Sequence, residues 1–364
     1  MTSDFVNPLL AWYNTEKRAL PWRMTKDPYC IWISEIMLQQ TRVETVIPYY
    51  ERFLGELPSI GALADCDEER LLKLWEGLGY YSRARNLKKA AVLLREKFGS
   101  CFPDSEEKIK SLPGIGSYTA GAIGSIAFEL PLPAVDGNVL RVCARLDGLL
   151  ENVLDIRVRR RTEERLRQLL KERRSEEKKF SCGDFNQALI ELGALVCVPN
   201  GEPKCESCPV RAFCTAAEKG LTAEIPVRIK KNARRTEERT VLIVRDGEKT
   251  AVRRRPETGL LAGLYEFPNV SGFISEREAL AAVKEAGLEP LRIRPLPAAK
   301  HIFTHIEWHM RGYEILTASG EEICEGGWLF AEKTELEDRM PVATAFAAYA
   351  EQIGLGLGKK RKTK

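Results

Sequence analysis

The stretch "LPGIGSYTAGAI", residues 112–123, decides how the first half of the chain reads. Gly114 and Gly116 flank Ile115, Pro113 precedes them, and a run compatible with a helix follows. Glycine reaches backbone angles closed to other residues, so a tight turn between two helices is predicted. Such a turn supports two readings. It is a plain corner, or its successive amides beside a helix N-terminus form a concavity for a phosphate or a phosphate-bound cation. The turn by itself does not choose between them.

Around it, residues 1 to about 220 read as helical. "LLKLWEGLGYYSRARNLKKAAVLLREKF" (71–98) and "CGDFNQALIELGALVC" (182–197) carry apolar residues at three- and four-residue spacings. Pro- and Gly-containing breaks such as "GELPS" and "ELPLPAVDGN" separate the segments. Beyond residue 220 the character changes. "EIPVRIKKNARRTEER" (224–239) reads as a basic linker, and "TVLIVRDGEKTAVRRR" (240–255) as a hairpin around Asp-Gly. "REALAAVKEAG" (277–287) is a helix; "LRIRPL", "HIFTHIEWHMRGYEIL" and "EGGWLF" are strand-like. The expectation is a helical region over 1–225, a linker over 226–237, an α+β domain over 238–352 and a basic tail over 353–364, with no internal repeat.

The 364 residues, 44% hydrophobic and 30% charged, are those of an ordinary globular chain of two domains. No apolar run reaches the ~18 residues of a membrane span, and "MTSDFVNPLLAWYN" lacks the features of a signal peptide. A cytoplasmic location without membrane contact is therefore expected. The net charge of +4 says little, but "RVRRRTEERLRQLLKERR" (157–174), "RIKKNARR" (228–235) and "KKRKTK" (359–364) are basic blocks. They are a solvated face with a polar tail, or they touch a polyanion such as nucleic acid.

Ten cysteines divide into two groups. Cys30, Cys66, Cys101, Cys143, Cys182 and Cys324 lie among apolar neighbours and are expected to be buried free thiols. Cys197, Cys205, Cys208 and Cys214 crowd together, which in a chain without a secretion signal reads as a metal site. Four thiolates suit zinc or a [4Fe–4S] cluster, and the presence of a single C-x2-C pair tilts toward iron–sulfur. Two carboxylates stand out. Glu35 lies among Ile31, Ile33, Ile36 and Met37, as a helix-surface residue beside a core stripe or as a buried acid with a raised pKa. Asp136 ends a Pro-rich loop before Gly137 and Asn138, as a helix N-cap or as the partner of Glu35 across a glycosidic bond.

Taken together, "SEIMLQQT", "GLGYYSRARNL", "LPGIGSYTAGAI", "VDGNVLRV", "FNQALIELGALVC" and the four clustered cysteines resemble, in order, the helix-hairpin-helix DNA glycosylases with an iron–sulfur cluster, and within them the MutY adenine glycosylases. The resemblance covers about residues 4–350. It implies a mainly α catalytic region, a six-helix barrel plus an iron–sulfur module, followed by an α+β Nudix-like domain. It implies a monofunctional enzyme that flips adenine out of an 8-oxoguanine:adenine mispair in double-stranded DNA and hydrolyses it off, leaving an abasic site. Glu35 would protonate the base and then help activate water, Asp136 would stabilise the sugar cation, and Asn138 would orient the carboxylates. The Tyr118 hydroxyl would contact Asp136. Arg18, Trp22, Arg23, Leu38 and Gln187 match the adenine pocket. Gln40, Thr41, Leu78 and Tyr80 match residues that contact or wedge into the duplex. Gly114 and Gly116 would hold a DNA phosphate, with or without a cation, and Phe303, Thr304 and His305 match the loop that reads 8-oxoguanine. Cys197, Cys205, Cys208 and Cys214 match the [4Fe–4S] ligands. A monomer is expected, nucleoid-associated if the cell is bacterial.

The chain departs from the pattern at several places. Seven residues separate the first two cysteines where the family usually has six; Thr304 stands for Ser, and Tyr265 for a common Trp. Three rivals are weaker. A bifunctional endonuclease III-type lyase needs a lysine where this chain has Tyr118, and a phenol forms no Schiff base; Leu140 likewise replaces a lysine that some members carry. A non-catalytic DNA-binding protein would not need both Glu35 and Asp136. An active Nudix hydrolase needs a set of glutamates of which Leu280, Ala281, Lys284 and Glu285 retain one.

Overall fold

The computed structural model describes residues 3–229, 234–318, 323–324 and 327–357. Of the expected features, part of the basic linker and most of the tail, including "KKRKTK", lie outside the described residues, as does the Cys324 side chain. The chain divides into two compact units: 1–65 with 86–231, and 66–85 with 232–364.

The first unit is helical, as expected. Its helices are α1 (Val6–Glu16), α2 (Pro28–Leu38), α3 (Val43–Glu56), α4 (Ile60–Asp65), most of α6 (Ser82–Phe98), α7 (Glu106–Lys110), α8 (Ser117–Phe128), α9 (Gly137–Asp147), α10 (Ile156–Glu176), α11 (Cys182–Leu195) and the short α12 (Thr215–Glu218). The helix α5 (Glu68–Leu74) belongs to the second unit. Central α11 packs on α1, α8 and α9, and α2 packs on α3 and α8. Both central helices are apolar on most faces because both are enclosed; Tyr29 and every residue of α2 from Ile31 to Met37 are buried. Pro28 at the first turn and the Asp27 cap, which accepts from the Tyr29 amide, start α2.

Residues 71–98 are not one helical run. After α5 the chain breaks at 75–81 and restarts at Ser82. Gly77, Gly79 and Tyr80 hold positive φ angles of 100°, 70° and 49°, which no helix accommodates. The basic block of α10 is less available to a polyanion than its composition implies. Arg157, Arg159, Arg161, Arg165, Arg167 and Arg173 each pair with a carboxylate: Asp155, Glu163, Glu151, Asp147, Glu106 and Glu177 respectively. The scattered cysteines also differ from expectation. Cys66, Cys143 and Cys182 are buried, but Cys30 is half-buried and Cys101 is exposed, in the turn that follows α6.

The second unit is a mixed sheet in the order β5-β6-β1-β2-β8-β7. Its strands are β1 (Arg235–Asp246), β2 (Lys249–Arg254), the short β3 (Tyr265–Glu266) and β4 (Asn269–Ser271), β5 (Pro290–Ile302), β6 (Ile306–Thr317), β7 (Ile323–Cys324) and β8 (Trp328–Ala331). The Asp-Gly hairpin is present, with Asp246 opposite Lys249, and β1 begins inside the stretch read as linker. The run "HIFTHIEWHMRGYEIL" is two strands, because 303–305 turns the chain between β5 and β6. In β1, Val241–Val244 are all buried, since both faces of the sheet are covered. On one face α13 (Glu276–Glu285) buries Ala279 and Val283 against Leu242, Val244 and Ala251. On the other face Trp308 packs on Phe346, their ring centres 5.9 Å apart.

Candidate active site

The first unit encloses a cavity of about 640 Å³, within the size range of small-molecule sites. Its walls bring together Arg18, Trp22, Arg23, Glu35, Leu38, Gln40, Thr41, Tyr118, Asp136, Asn138 and Gln187, which are scattered over most of the helical half of the sequence.

Glu35 enters from the enclosed helix α2 and is only 8% exposed. Burial pushes its carboxyl from 4.5 up to about 7, against the Tyr118 hydrogen bond that favours the ionised form; nearby Asp136 adds to the rise. The Tyr118 hydroxyl donates to Glu35 Oε2 at 2.8 Å. This corrects the expected contact with Asp136: Tyr118 sits in the first turn of α8, which packs on α2, and its ring reaches the α2 carboxylate. Burial, and then the charge of Glu35, pushes the Tyr118 phenol well above its ordinary range, so it stays protonated.

Asp136 is the N-cap of α9, and it also lines the cavity that Glu35 enters. One carboxylate oxygen, Oδ1, caps α9 by accepting from the Val139 amide at 2.8 Å, while Oδ2 accepts from Asn138 Nδ2 at 2.7 Å. Burial raises its pKa in spite of these bonds.

Residues that no sequence motif singled out complete the site. Glu191 is buried in α11 and takes both Arg18 and Arg23. Burial alone would raise its pKa, but hydrogen bonds from the two guanidinium groups outweigh this and hold the carboxyl down at about 2. Arg18 and Arg23 thus line the cavity with one of their two positive charges balanced by Glu191. Arg141, one turn into α9, donates to Asn138 Oδ1 at 2.9 Å, to the Gly193 carbonyl at 2.7 Å and to the Cys197 carbonyl at 2.7 Å. A pattern did exist: Glu191 stands four residues after Gln187, one helical turn along the same face of α11.

At the helix–hairpin–helix, only the first glycine is required by conformation. Gly114 has φ +79°, and a Cβ there would lie 2.7 Å from Asn86 Cβ. Gly116 is extended and caps α8 without a side chain, with open space where a Cβ would stand. Both are exposed.

The four clustered cysteines line a common cavity with Arg145 and Arg211. Arg145 donates to Cys197 Sγ at 3.2 Å and to the Val198 carbonyl at 3.3 Å. Among the described residues no three Cys, His, Asp or Glu side chains converge as ligands of a single metal ion.

In the second unit Tyr80 is exposed, and its hydroxyl lies 3.1 Å from Thr304 Oγ1. Leu78 is buried, 5% exposed, so its side chain is not presented to a partner in this conformation. Thr304 and His305 are exposed, while Phe303 leans edge-on against Trp308, centres 4.9 Å apart.

The sequence and the fold are similar to those of known proteins. Residues 33–168 match the HhH-GPD superfamily of base excision DNA repair proteins, and residues 239–352 match the NUDIX domain. A solved structure of a thermostable thymine-DNA glycosylase superposes with a TM-score of 0.52 at 30% identity, covering 59% of this chain and 96% of that one. An adenine DNA glycosylase of Buchnera aphidicola subsp. Baizongia pistaciae is 37% identical over 309 residues, 84% of each chain. The adenine DNA glycosylase of Mus musculus is 35% identical over 369 residues, 85% of this chain and 70% of the mouse protein. The chain belongs to the adenine DNA glycosylase family, and so to the hydrolases of N-glycosyl bonds.

Proposed function

We propose that the protein removes adenine paired with 8-oxoguanine from duplex DNA and leaves an abasic site without cutting the strand. What carries this reading is the convergence of Glu35, Tyr118 and Asp136 on one cavity large enough for a flipped nucleotide. A carboxyl at about 7 is protonated in half the molecules at neutral pH, so Glu35 can donate a proton to a ring nitrogen of adenine. The protonated base leaves with the electrons of the N-glycosyl bond. Asp136, ionised and held by Asn138 and the Val139 amide, faces the positive charge that develops on the deoxyribose. Glu35, now a carboxylate, takes a proton from the attacking water. Arg18, Trp22, Arg23, Leu38 and Gln187 line the space left for the base. The Phe303–Thr304–His305 turn, exposed at Thr304 and His305 and with Tyr80 bonded to Thr304, reads the opposite base through hydroxyl groups that both donate and accept. The Gly114–Gly116 turn offers bare backbone to a phosphate, with or without a cation. Work on chromosomal DNA puts such an enzyme at the nucleoid in a bacterial cell.

The test is release of adenine from an 8-oxoguanine:adenine duplex by the purified protein, with guanine:adenine as comparison. Intact strands and a free abasic site are expected; strong nicking with a borohydride-trapped adduct would refute the hydrolytic reading. Tyr118→Lys puts an amine at the cavity wall, and this variant should gain strand nicking and a trapped adduct.

Cys197, Cys205, Cys208 and Cys214 line one small cavity, and four thiolates are the donor set of a [4Fe–4S] cluster, which these residues would hold. Held by these four residues, such a cluster would tie the loop after α11 to the body of the unit and would supply no step of the reaction. The isolated protein should be brown, absorb near ~400 nm and carry about four iron atoms. A colourless protein with stoichiometric zinc would exclude this.

A further inference from the structure

We propose that Arg83 is a positioning residue that locks the 77–80 turn in the conformation setting the Tyr80 hydroxyl against Thr304. Its consequence for DNA rests on the reading of Tyr80 and Thr304 given above; the clamp itself does not.

Arg83 is an expensive residue for its place. It is 7% exposed, and burial lowers its guanidinium to about 10. It is also the second residue of α6, where the helix dipole disfavours a cation. Its bonds explain why it is kept there. Nη2 donates to the Leu78 carbonyl at 2.9 Å and to the Gly79 carbonyl at 3.1 Å. The guanidinium carbon lies over the Trp75 ring, 5.3 Å from its centre, and over the Tyr80 ring, 5.7 Å from its centre. Trp75 Nε1 donates to the same Gly79 carbonyl at 3.1 Å.

The turn needs such a clamp. Tyr80 has a side chain and yet holds φ 49°, a conformation that costs free energy and persists only where the surroundings impose it. Two consecutive carbonyls directed at one cation fix the peptide planes on either side of Gly79. With these planes fixed, the Tyr80 ring stands outward, 46% exposed, with its hydroxyl at Thr304. Both bonds leave the outer nitrogen Nη2 of the fork; a lysine ends one bond nearer the backbone and lacks the flat face beside the Trp75 and Tyr80 rings, so it keeps the charge without these contacts.

The test compares the full-length protein with Arg83→Lys, and with Thr304→Ala as control. Amide hydrogen exchange would be followed at Leu78 and at residue 83, whose N–H groups bond to the Trp75 and Tyr80 carbonyls. Affinity would be measured for a duplex with 8-oxoguanine opposite an abasic analogue. In Arg83→Lys these amides should exchange about tenfold faster while buried α5 and α6 amides stay protected, and affinity should fall about tenfold, the worth of one charge-assisted bond. Thr304→Ala should lose affinity with unchanged exchange. Unchanged exchange in Arg83→Lys overturns the proposal. Deprotection of the helices together with the turn also overturns it, because Arg83 would then be a general stabiliser. Faster exchange confined to the turn with full affinity supports the clamp and refutes the duplex role of Tyr80.

Discussion

Glu35→Gln should slow adenine release in single turnover by on the order of 10³-fold while duplex affinity is retained. The amide has the shape of the acid and accepts the Tyr118 hydroxyl, but it has no proton to give at neutral pH. The pH profile of the natural enzyme should carry the same signature. In the proposed reaction Glu35 acts in its protonated form, so the rate should fall as pH rises through about 7. An ordinary carboxyl at 4.5 would be protonated in only about one molecule in 300 at pH 7. Stability should move the other way in the variant. Because the folded pKa is raised, the contribution of Glu35 is fully present below 4.5 and is lost as pH rises through about 7. The interval, 7 − 4.5 = 2.5, corresponds to about 3 kcal/mol. Glu35→Gln should therefore melt higher than the natural protein at pH 8 and no higher at pH 4. Normal cleavage by Glu35→Gln would remove the acid from the scheme.

The second large effect belongs to Glu191. Glu191→Gln leaves the Arg18 and Arg23 guanidinium groups facing a neutral amide in a buried site. Breaking a buried pair by removing one partner costs about 3–5 kcal/mol, and Tm should fall by on the order of 10 °C. The pH dependence has the opposite sign to that of Glu35. The pKa of Glu191 is depressed, so its stabilisation is present above 4.5 and is lost as pH falls through about 2. Natural protein and variant should differ most near pH 7 and converge in acid. A variant with unchanged melting at pH 7 would show that the two arginines find other partners.

Much of this was readable from the residues. The helical first half, the Asp-Gly hairpin, α13 and the cysteine group follow from periodicity and spacing, which are local properties. The break at 75–81 was hidden because Leu71, Leu74, Leu78 and Tyr81 keep a helical rhythm across two glycines whose left-handed angles only the folded chain reveals. The Tyr118–Glu35 bond depends on how α8 lies against α2, and no spacing within either helix encodes that. Glu191 lies inside "FNQALIELGALVC", but nothing local marks it as the partner of Arg18 and Arg23, which are more than 160 residues away in sequence. The α10 arginines show the limit of counting charges: their neutralising carboxylates lie as far away in sequence as Glu106.

Asp136 caps a helix with one oxygen and is held by Asn138 through the other. Both bonds exist before any substrate arrives, so the carboxylate has given up its rotational freedom during folding. In the proposed reaction the environment of the developing sugar cation would thus be preorganised, with little reorientation left to oppose bond breaking. The same economy binds the group to its place. Asp136→Asn keeps the cap and removes the charge, whereas Asp136→Ala removes both, so any loss seen with alanine mixes chemistry with the integrity of α9.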